Sequence, residues 1–507
     1  MRKKIRRGYR HAYPLSVGSE AHRLELVSSI EPYPALQQGY FTFLNKEYRY
    51  TQGKIDWNYA TYGKLWTYNL TYFDYLLQSD VTKKNGLAFI YEFIEKIDSV
   101  SDGLMPFPIS LRGINWIKFL SKYKIEDRKI NDSLYAQYWI LMDNIEYHVL
   151  GNHLLENGFS LLFGAYYFQD EKLYAKAKKI LTEELEEQIL QDGAHFELSP
   201  MYHQLMLFRV LDCINLVQNN QWKEHDLLGL LTEKAEVMLG WLRTMTFKNG
   251  AIPLLNDSAN KIAPTTQELT AYALKLNSEF RIQNSELSDS GYRKVTNDHY
   301  EMVMDVGNIG PDYIPGHAHS DTFSFELYID RQPVIVDTGL STYEANDRRQ
   351  WERSTKAHNT VVVDGYDQSQ VWGGFRVAKR AKTVGLKESQ NCMEATHDGY
   401  RSRGVWHTRR FKMEKNRIVI NDYIKSEGEH ICKAYLHFYP GIQVTLGSNK
   451  LNSDCFTIHC LNADRIELAD YNYSPEFHTN INAKCAIIIF KHELKIKIGI
   501  KERYENH

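Results

Sequence analysis

Three things are scarce in this 507-residue chain: paired cysteines, surplus charge and long apolar runs. Its six cysteines, Cys213, Cys392, Cys432, Cys455, Cys460 and Cys485, include no Cys-x-x-Cys spacing, and in a chain this long they are too sparse for a disulfide framework. Basic and acidic residues nearly cancel, 61 against 63, so bulk electrostatics gives no hold on nucleic acid, although a local basic groove for an acidic polymer stays open. No segment has the length and apolarity of a membrane span or a secretory core. The N-terminal Met1-Arg-Lys-Lys-Ile-Arg-Arg-Gly-Tyr-Arg is basic, but it runs on into His11, Pro14, Ser16, Glu20 and His22. As written, the chain is expected to be made without a signal peptide and to be cytoplasmic; a trimmed N-terminus would make it periplasmic or secreted.

What is abundant is aromatic surface. Phe, Trp and Tyr make up 13% of the chain, led by 34 tyrosines, a load that serves a core and interfaces and equally a carbohydrate cleft, where rings stack on sugar faces. The length implies two or three domains. From about residue 55 to 280 the apolar period is helical: Leu173, Ala177, Ile180, Leu181, Leu185 and Ile189 keep a three-to-four spacing. The stretches 106–116 and 191–200 read as polar-aromatic connectors between helices. A polar linker at about 281–295 follows, and beyond it the period changes to two in Phe323-Ser-Phe-Glu-Leu, Asn359-Thr-Val-Val-Val, Phe411-Lys-Met-Glu, Arg417-Ile-Val-Ile and Leu494-Lys-Ile-Lys-Ile-Gly-Ile, with Lys415-Asn416 as a hairpin turn. The expectation is a helical domain over 1–285 and an antiparallel β domain over 286–507.

Chemistry-bearing residues fall in three clusters. The first is Gly-His-Ala-His-Ser-Asp at 316–321, followed by Val-Asp-Thr-Gly at 336–339 and Ala-His-Asn-Thr-Val at 357–361. His and Asp are ordinary zinc ligands, and a strand would put the two imidazoles of His-x-His on one face. Solvated or core histidines explain the same pattern equally well. The second is Asn152-His153-Leu-Leu-Glu156, with His153 and Glu156 one helical turn apart. The third is Ser-Pro-Met-Tyr202-His203, at a helix start set by Ser199 and Pro200. Helix capping and core hydrogen bonding are the plainer readings of the last two.

Taken in order across an α-then-β chain, these blocks resemble the heparinase II/III-type polysaccharide lyases. Leu65-Trp-Thr-Tyr-Asn-Leu-Thr-Tyr-Phe-Asp-Tyr-Leu at 65–76 is similar to that family's N-terminal segment. The resemblance covers about residues 40–440 and implies an incomplete (α/α) toroid followed by an antiparallel β-sandwich, with an acidic polysaccharide as substrate. It implies β-elimination: the C5 proton of a uronic acid is removed and the bond to O4 breaks. It further implies that Asn152, with His153 and Glu156 near it, neutralises the uronate carboxylate, that Tyr202 is the acid and on one face of the sugar also the base, and that His317 is the catalytic histidine. His319, Asp337 and His358 match the family's ligands for a structural Zn2+. Arg112, Asn115, Arg349 and Arg353 are candidate carboxylate or sulfate contacts, since guanidinium groups pair bidentately with planar oxyanions; Glu156 and His203 complete the candidate substrate-binding set.

Two other classes fit the residues. One is a metal-braced glycan-binding or polysaccharide-assembly protein of the same fold, against which the retained Asn152, Tyr202 and His317 argue. The other is a hydrolase using Glu156 and Glu197 as paired carboxylates. The particular polymer, its sulfation and the oligomeric state are not written in the chain.

Overall fold

The computed structural model describes residues 21–223 and 226–501. The basic stretch 1–10, with His11, Pro14, Ser16 and Glu20, lies outside the described residues. Two compact units emerge. The first comprises residues up to Ile189, Gln204–Leu239 and Pro264–Gln283; the second comprises Leu190–His203, Gly240–Ala263 and everything from Asn284 onward. The boundary expected at 285/286 thus runs close to the change of unit at 283/284, while two earlier segments count with the second unit.

The first unit is helical, with a small antiparallel sheet formed by Leu36–Gln37, Tyr40–Phe43 and Lys46–Arg49. Helices Lys83–Lys96, Arg128–Asp143 and Glu171–Gln188 start on side-chain caps from Thr82, Asp127 and Asp170, which satisfy first-turn amides. The stretch 106–116, expected as a connector, is instead the first half of helix Pro106–Tyr123. Proline at the first helical position costs no hydrogen bond, and Ile109, Ile114, Trp116 and Ile117 are all buried. Helix Gly151–Phe168 packs between Glu171–Gln188 and Pro106–Tyr123. It is buried on every side except at His153, as an all-round apolar helix must be.

The second unit is an antiparallel β structure. One sheet runs in the order Thr383–Ser389, Cys392–His397, Trp406–Met413, Arg417–Lys425, Glu493–Ile500, Phe456–Leu461, Lys450–Asn452, Thr445–Leu446. A second orders Arg465–Tyr473, Ile481–Phe490, Cys432–His437 and Val361–Val363, and a third orders Tyr292–Thr296, Tyr300–Asp305, Phe325–Ile329 and Gln332–Ile335. Their inward faces meet in one core, in which Met302 and Phe325 of the third sheet join Phe411, Ile418 and Ile420 of the first and Ala434, Leu436 and Ile488 of the second. The Lys415-Asn416 step does turn a hairpin, closed by Glu414 N–H on Arg417 O at 2.8 Å. A helical region followed by an antiparallel β region is the fold class expected from the sequence. Among the described residues no helix is long and apolar enough to cross a membrane.

Candidate active site

Within the second unit the chemistry gathers around a residue that sequence reasoning missed. Asp257 is fully buried, and each of its carboxylate oxygens serves two donors. Oδ1 accepts from His319 Nε2 at 2.8 Å and from Arg349 Nη1; Oδ2 accepts from His317 Nδ1 at 2.9 Å and Arg349 Nη2 at 2.7 Å. Burial alone would raise this carboxyl, but the Arg349 charge and the bonds from His317 and His319 outweigh it and hold the group well below the usual carboxylate range. The only local signal for Asp257 is a turn-forming trio, Asn256-Asp257-Ser258, directly after the apolar Ile252–Leu255.

The His-x-His loop is not a strand, contrary to expectation; residues 316–321 form turns and irregular backbone. Its two imidazoles converge nonetheless because the loop is strapped to the Asp257 segment. Asp257 N–H donates to His317 O at 3.1 Å, and His319 N–H to Asn256 Oδ1 at 2.9 Å. Asn256 sits in the left-handed region at φ 55° and sends its Nδ2 to Leu198 O at 2.9 Å and Tyr292 Oη at 3.0 Å. Leu198, also left-handed at φ 56°, immediately precedes Ser199, which caps the helix Pro200–Asn219 by accepting from Tyr202 N–H at 3.3 Å. Ser199 Oγ in turn donates to Asp257 O at 2.7 Å. Non-glycine residues held in that region cluster where geometry is over-determined by function.

Tyr202 and His317 are therefore brought together as the sequence implied. Their rings lie 4.0 Å apart between centroids, and Tyr202 Oη is 3.1 Å from Tyr343 Oη. Burial, seconded by the Asp257 and Glu197 charges and opposed by the bond with Tyr343, pushes the Tyr202 phenol well above its ordinary range. The His317 side chain keeps 12% exposure, with Glu197 Oε2 4.0 Å from its Nε2 and Phe375 packed edge-on. Tyr343 is a second residue that the sequence did not single out.

Arg349 in helix Asp347–Glu352 and Arg353 at its C-terminal cap are both committed to the fold, which corrects their reading as substrate contacts. Arg349 is fully buried on Asp257 and Gly374 O. Arg353, also fully buried, donates from Nη2 to Ala318 O at 2.9 Å and from Nη1 to Gly374 O at 3.2 Å. Burial and the like charge of Arg349 lower its guanidinium to about 10. The two clamp the His-x-His loop, one through Asp257 and one through the peptide between the histidines. His203 is likewise internal: its Nδ1 accepts from His195 N–H at 3.2 Å and its ring lies 4.4 Å from that of Trp241.

The three residues read as zinc ligands are all buried. His358 Nδ1 meets Asp337 Oδ2 at 2.7 Å, the His319 and His358 rings lie 5.3 Å apart, and His319 Nδ1 has no hydrogen-bond partner among the described residues. Gly339 closes the Val-Asp-Thr-Gly turn on Asp337 Oδ1 at 3.1 Å; at φ 74° and against Ser474 O it leaves no room for a Cβ. Among the described residues no three His, Cys, Asp or Glu side chains form a group with the geometry of a metal centre. The donors nevertheless suit zinc in kind: two imidazoles, a carboxylate, and a buried nitrogen whose lone pair is otherwise unused.

The remaining candidates belong to the first unit. Asn152, buried, lies in the first turn of helix Gly151–Phe168, entered through left-handed Leu150 and Gly151. His153 Nδ1 pairs with Glu146 Oε1 at 3.1 Å, its ring 4.3 Å from Phe107. Glu156 is spent on Arg209, whose Nε lies 3.1 Å from both carboxylate oxygens, so it is neither a substrate contact nor half of a hydrolase pair. Arg112 donates to Gln137 Oε1 at 2.7 Å, Thr71 O at 3.0 Å and Gly103 O at 2.8 Å, and Asn115 donates to Tyr72 O at 2.9 Å and to Asp74. Both are buried braces, in place of the expected carboxylate contacts.

Comparison with known proteins places these features. The heparinase II/III N-terminus family model matches residues 119–281, and the heparinase II/III-like C-terminal model matches 283–501. A heparin-sulfate lyase of Bacteroides thetaiotaomicron is 25% identical over 232 residues, 38% of this chain and 33% of the relative. One of Pedobacter heparinus is 23% identical over 333 residues, 60% of this chain and 48% of the relative. The chain thus spans a third to about half the length of these curated relatives. Among solved structures, heparinase III superposes with a TM-score of 0.69 at 16% identity, covering 90% of this chain and 81% of that one. The heparan sulfate lyase HepC from Pedobacter heparinus gives 0.59 at 17%, covering 90% and 80%. At such identities the superpositions speak for the fold alone, a toroid followed by a β-sandwich. With both halves matched by its models, the chain belongs to the heparinase II/III-like family.

Proposed function

We propose that the protein is a polysaccharide lyase that cleaves a uronic-acid-containing polysaccharide by β-elimination, leaving 4,5-unsaturated uronate ends. The observation that carries the reading is the pairing of Tyr202 with a His317 oriented by Asp257. In the proposed reaction His317 takes the proton from C5, the electron pair left on C5 becomes the C4–C5 double bond, the C4–O4 bond breaks, and Tyr202 protonates the departing O4. A phenol held above its ordinary range stays protonated at neutral pH, which favours the donor role for Tyr202 and opposes its use as base.

The developing charge on the uronate carboxylate needs a partner as well. That task falls to Asn152, in the first turn of its helix, where the backbone amides and the positive end of the dipole favour an anion. We assign a structural zinc ion to His319, Asp337 and His358, where it would fix the polypeptide around His317 without entering the proton transfers.

Elimination is distinguished from its rivals by product. Incubated with a panel of uronate polymers, the protein should generate the ultraviolet absorbance of a double bond conjugated with a carboxylate, and mass spectrometry should find no added water. Shortened chains that have gained water would replace this reading with a hydrolase; tight binding without product would replace it with a glycan-binding protein.

A further inference from the structure

We propose that Asp257 is a positioning residue that imposes opposite tautomers on the two imidazoles of the Gly-His-Ala-His loop, directing the Nε2 lone pair of His317 to proton acceptance and the Nδ1 lone pair of His319 to the metal ion. The inference deepens the lyase reading above and rests on it for the word acceptance; the tautomers themselves follow from contacts within one unit. A carboxylate clamped by both Nη atoms of Arg349 can only accept hydrogen bonds. His317 approaches it with Nδ1 and must carry its proton there, which leaves the lone pair of the neutral ring on Nε2. His319 approaches the other oxygen with Nε2, so its lone pair falls on Nδ1, the buried atom that has no hydrogen-bond partner among the described residues. One carboxylate thereby does for a proton acceptor and a metal ligand what two separate orienting groups do elsewhere.

The arrangement does not depend on the Asp257 side chain for its backbone course. The loop is held independently by Asp257 N–H on His317 O, by His319 N–H on Asn256 Oδ1 and by Arg353 on Ala318 O. Changing the side chain should consequently disturb the protons before it disturbs the fold.

The decisive measurement is imidazole nitrogen-15 NMR on the full, unaltered protein at about pH 8–9, above the ordinary imidazole range, with the two rings assigned from the signals lost in His317→Gln and His319→Gln. Expected are a protonated Nδ1 and bare Nε2 for His317, and the reverse for His319. A His317 ring protonated at Nε2, or two rings in the same tautomer, overturns the proposal whether or not the protein proves to be a lyase. Asp257→Asn adds a functional arm. Its amide can accept from only one ring, so kcat should fall with KM little changed, and zinc affinity in chelator competition should drop by about 10–100-fold. Wild-type values for both in the folded variant also overturn it, and a variant that fails to fold leaves the decision with the spectrum.

Discussion

Each unit buries a knot built on a guanidinium–carboxylate pair, and the two knots lead to different places. In the first unit Arg209 spans Glu156 at 3.1 Å and Asp212 at 3.6 Å, Lys118 also bonds Asp212, and Asp74 lies within reach of their charges. Arg209, Glu156, Asp212 and Lys118 are buried, Asp74 is half-buried, and their strong contacts are to one another or to the fold. In the second unit Arg349 and Asp257 are equally buried, but the chain of contacts runs out through His317 to Tyr202, neither of which is fully enclosed. A buried ion network therefore says little about function by itself. What marks a site is an exit: a titratable group held by the network and turned toward solvent.

Breaking the closed knot should have the largest effect on stability. Arg209→Met strips buried Glu156 of its guanidinium partner and takes one of two nearby cations from Asp212, and removing one partner from a buried pair typically costs about 3–5 kcal/mol. Chemical denaturation should show a loss of that size; a loss under about 1 kcal/mol would mean that Lys118 and protonation absorb the imbalance. Breaking the open knot should act on turnover. Tyr202→Phe removes only a hydroxyl, so stability should hold while elimination slows by about two orders of magnitude or more; a folded variant with near-native turnover would take the donor role from Tyr202.

These contrasts also show what the sequence could carry. Features set by neighbours along the chain were legible: His153 and Glu156 one turn apart, the helix start at Ser199-Pro200, the hairpin at Lys415-Asn416, and the change of period beyond the polar linker at about 281–295. The family blocks imply Tyr202 and His317 as catalytic partners, and their rings lie 4.0 Å apart. Features set by charge pairing across the fold were not legible. Asp257 is 60 residues from His317 and 92 from Arg349, with no periodicity linking them. Arginine in a polar-aromatic segment looks the same whether it reaches solvent, as expected of Arg112, or closes on backbone carbonyls, as it does. The 106–116 segment was misjudged for a related reason: its prolines suggested a loop, but proline in a first helical turn is compatible with the burial that follows.

A metal ion would tie the second knot further. His358→Ala should lower zinc content below one per chain and depress the thermal midpoint, because an ion bound only by the folded state stabilises it; unchanged zinc content would remove His358 from the ligand set.

The smallest effect comes from a third cluster, entirely inside the β-sandwich. His397 Nε2 meets His407 Nδ1 at 2.9 Å, His407 Nε2 meets Asp422 Oδ1 at 2.7 Å, and Gly399 N–H donates to His397 Nδ1 at 3.1 Å, a chain satisfied in full when both rings are neutral. Burial lowers both imidazoles; burial would raise Asp422, but Arg409 and His407 hold it at about 2. The unfolded chain takes up protons on these imidazoles near pH ~6.5 while the folded chain does not, so stability falls as pH drops below that value. The Asp422 contribution is present above the ordinary carboxylate range and is lost as pH falls from about 4 toward 2. Each imidazole should contribute a slope of up to about 1.4 kcal/mol per pH unit. His397→Gln should flatten the decline between about pH 6 and 5 relative to wild type, and an unchanged slope would show that His397 takes no part in it.

Asn256 gives the molecule a property of timing. Its amide group accepts from the His319 backbone and donates to Leu198 O, so one side chain links the segment that starts the Tyr202 helix to the loop that carries both histidines, in parallel with Ser199 Oγ on Asp257 O. Fluctuations that release one segment release the other, and the amide protons of Asp257 and His319 should exchange with solvent at a common rate set by a single opening event. The site would then exist whole or not at all, with no population in which the donor is in place and the acceptor is astray.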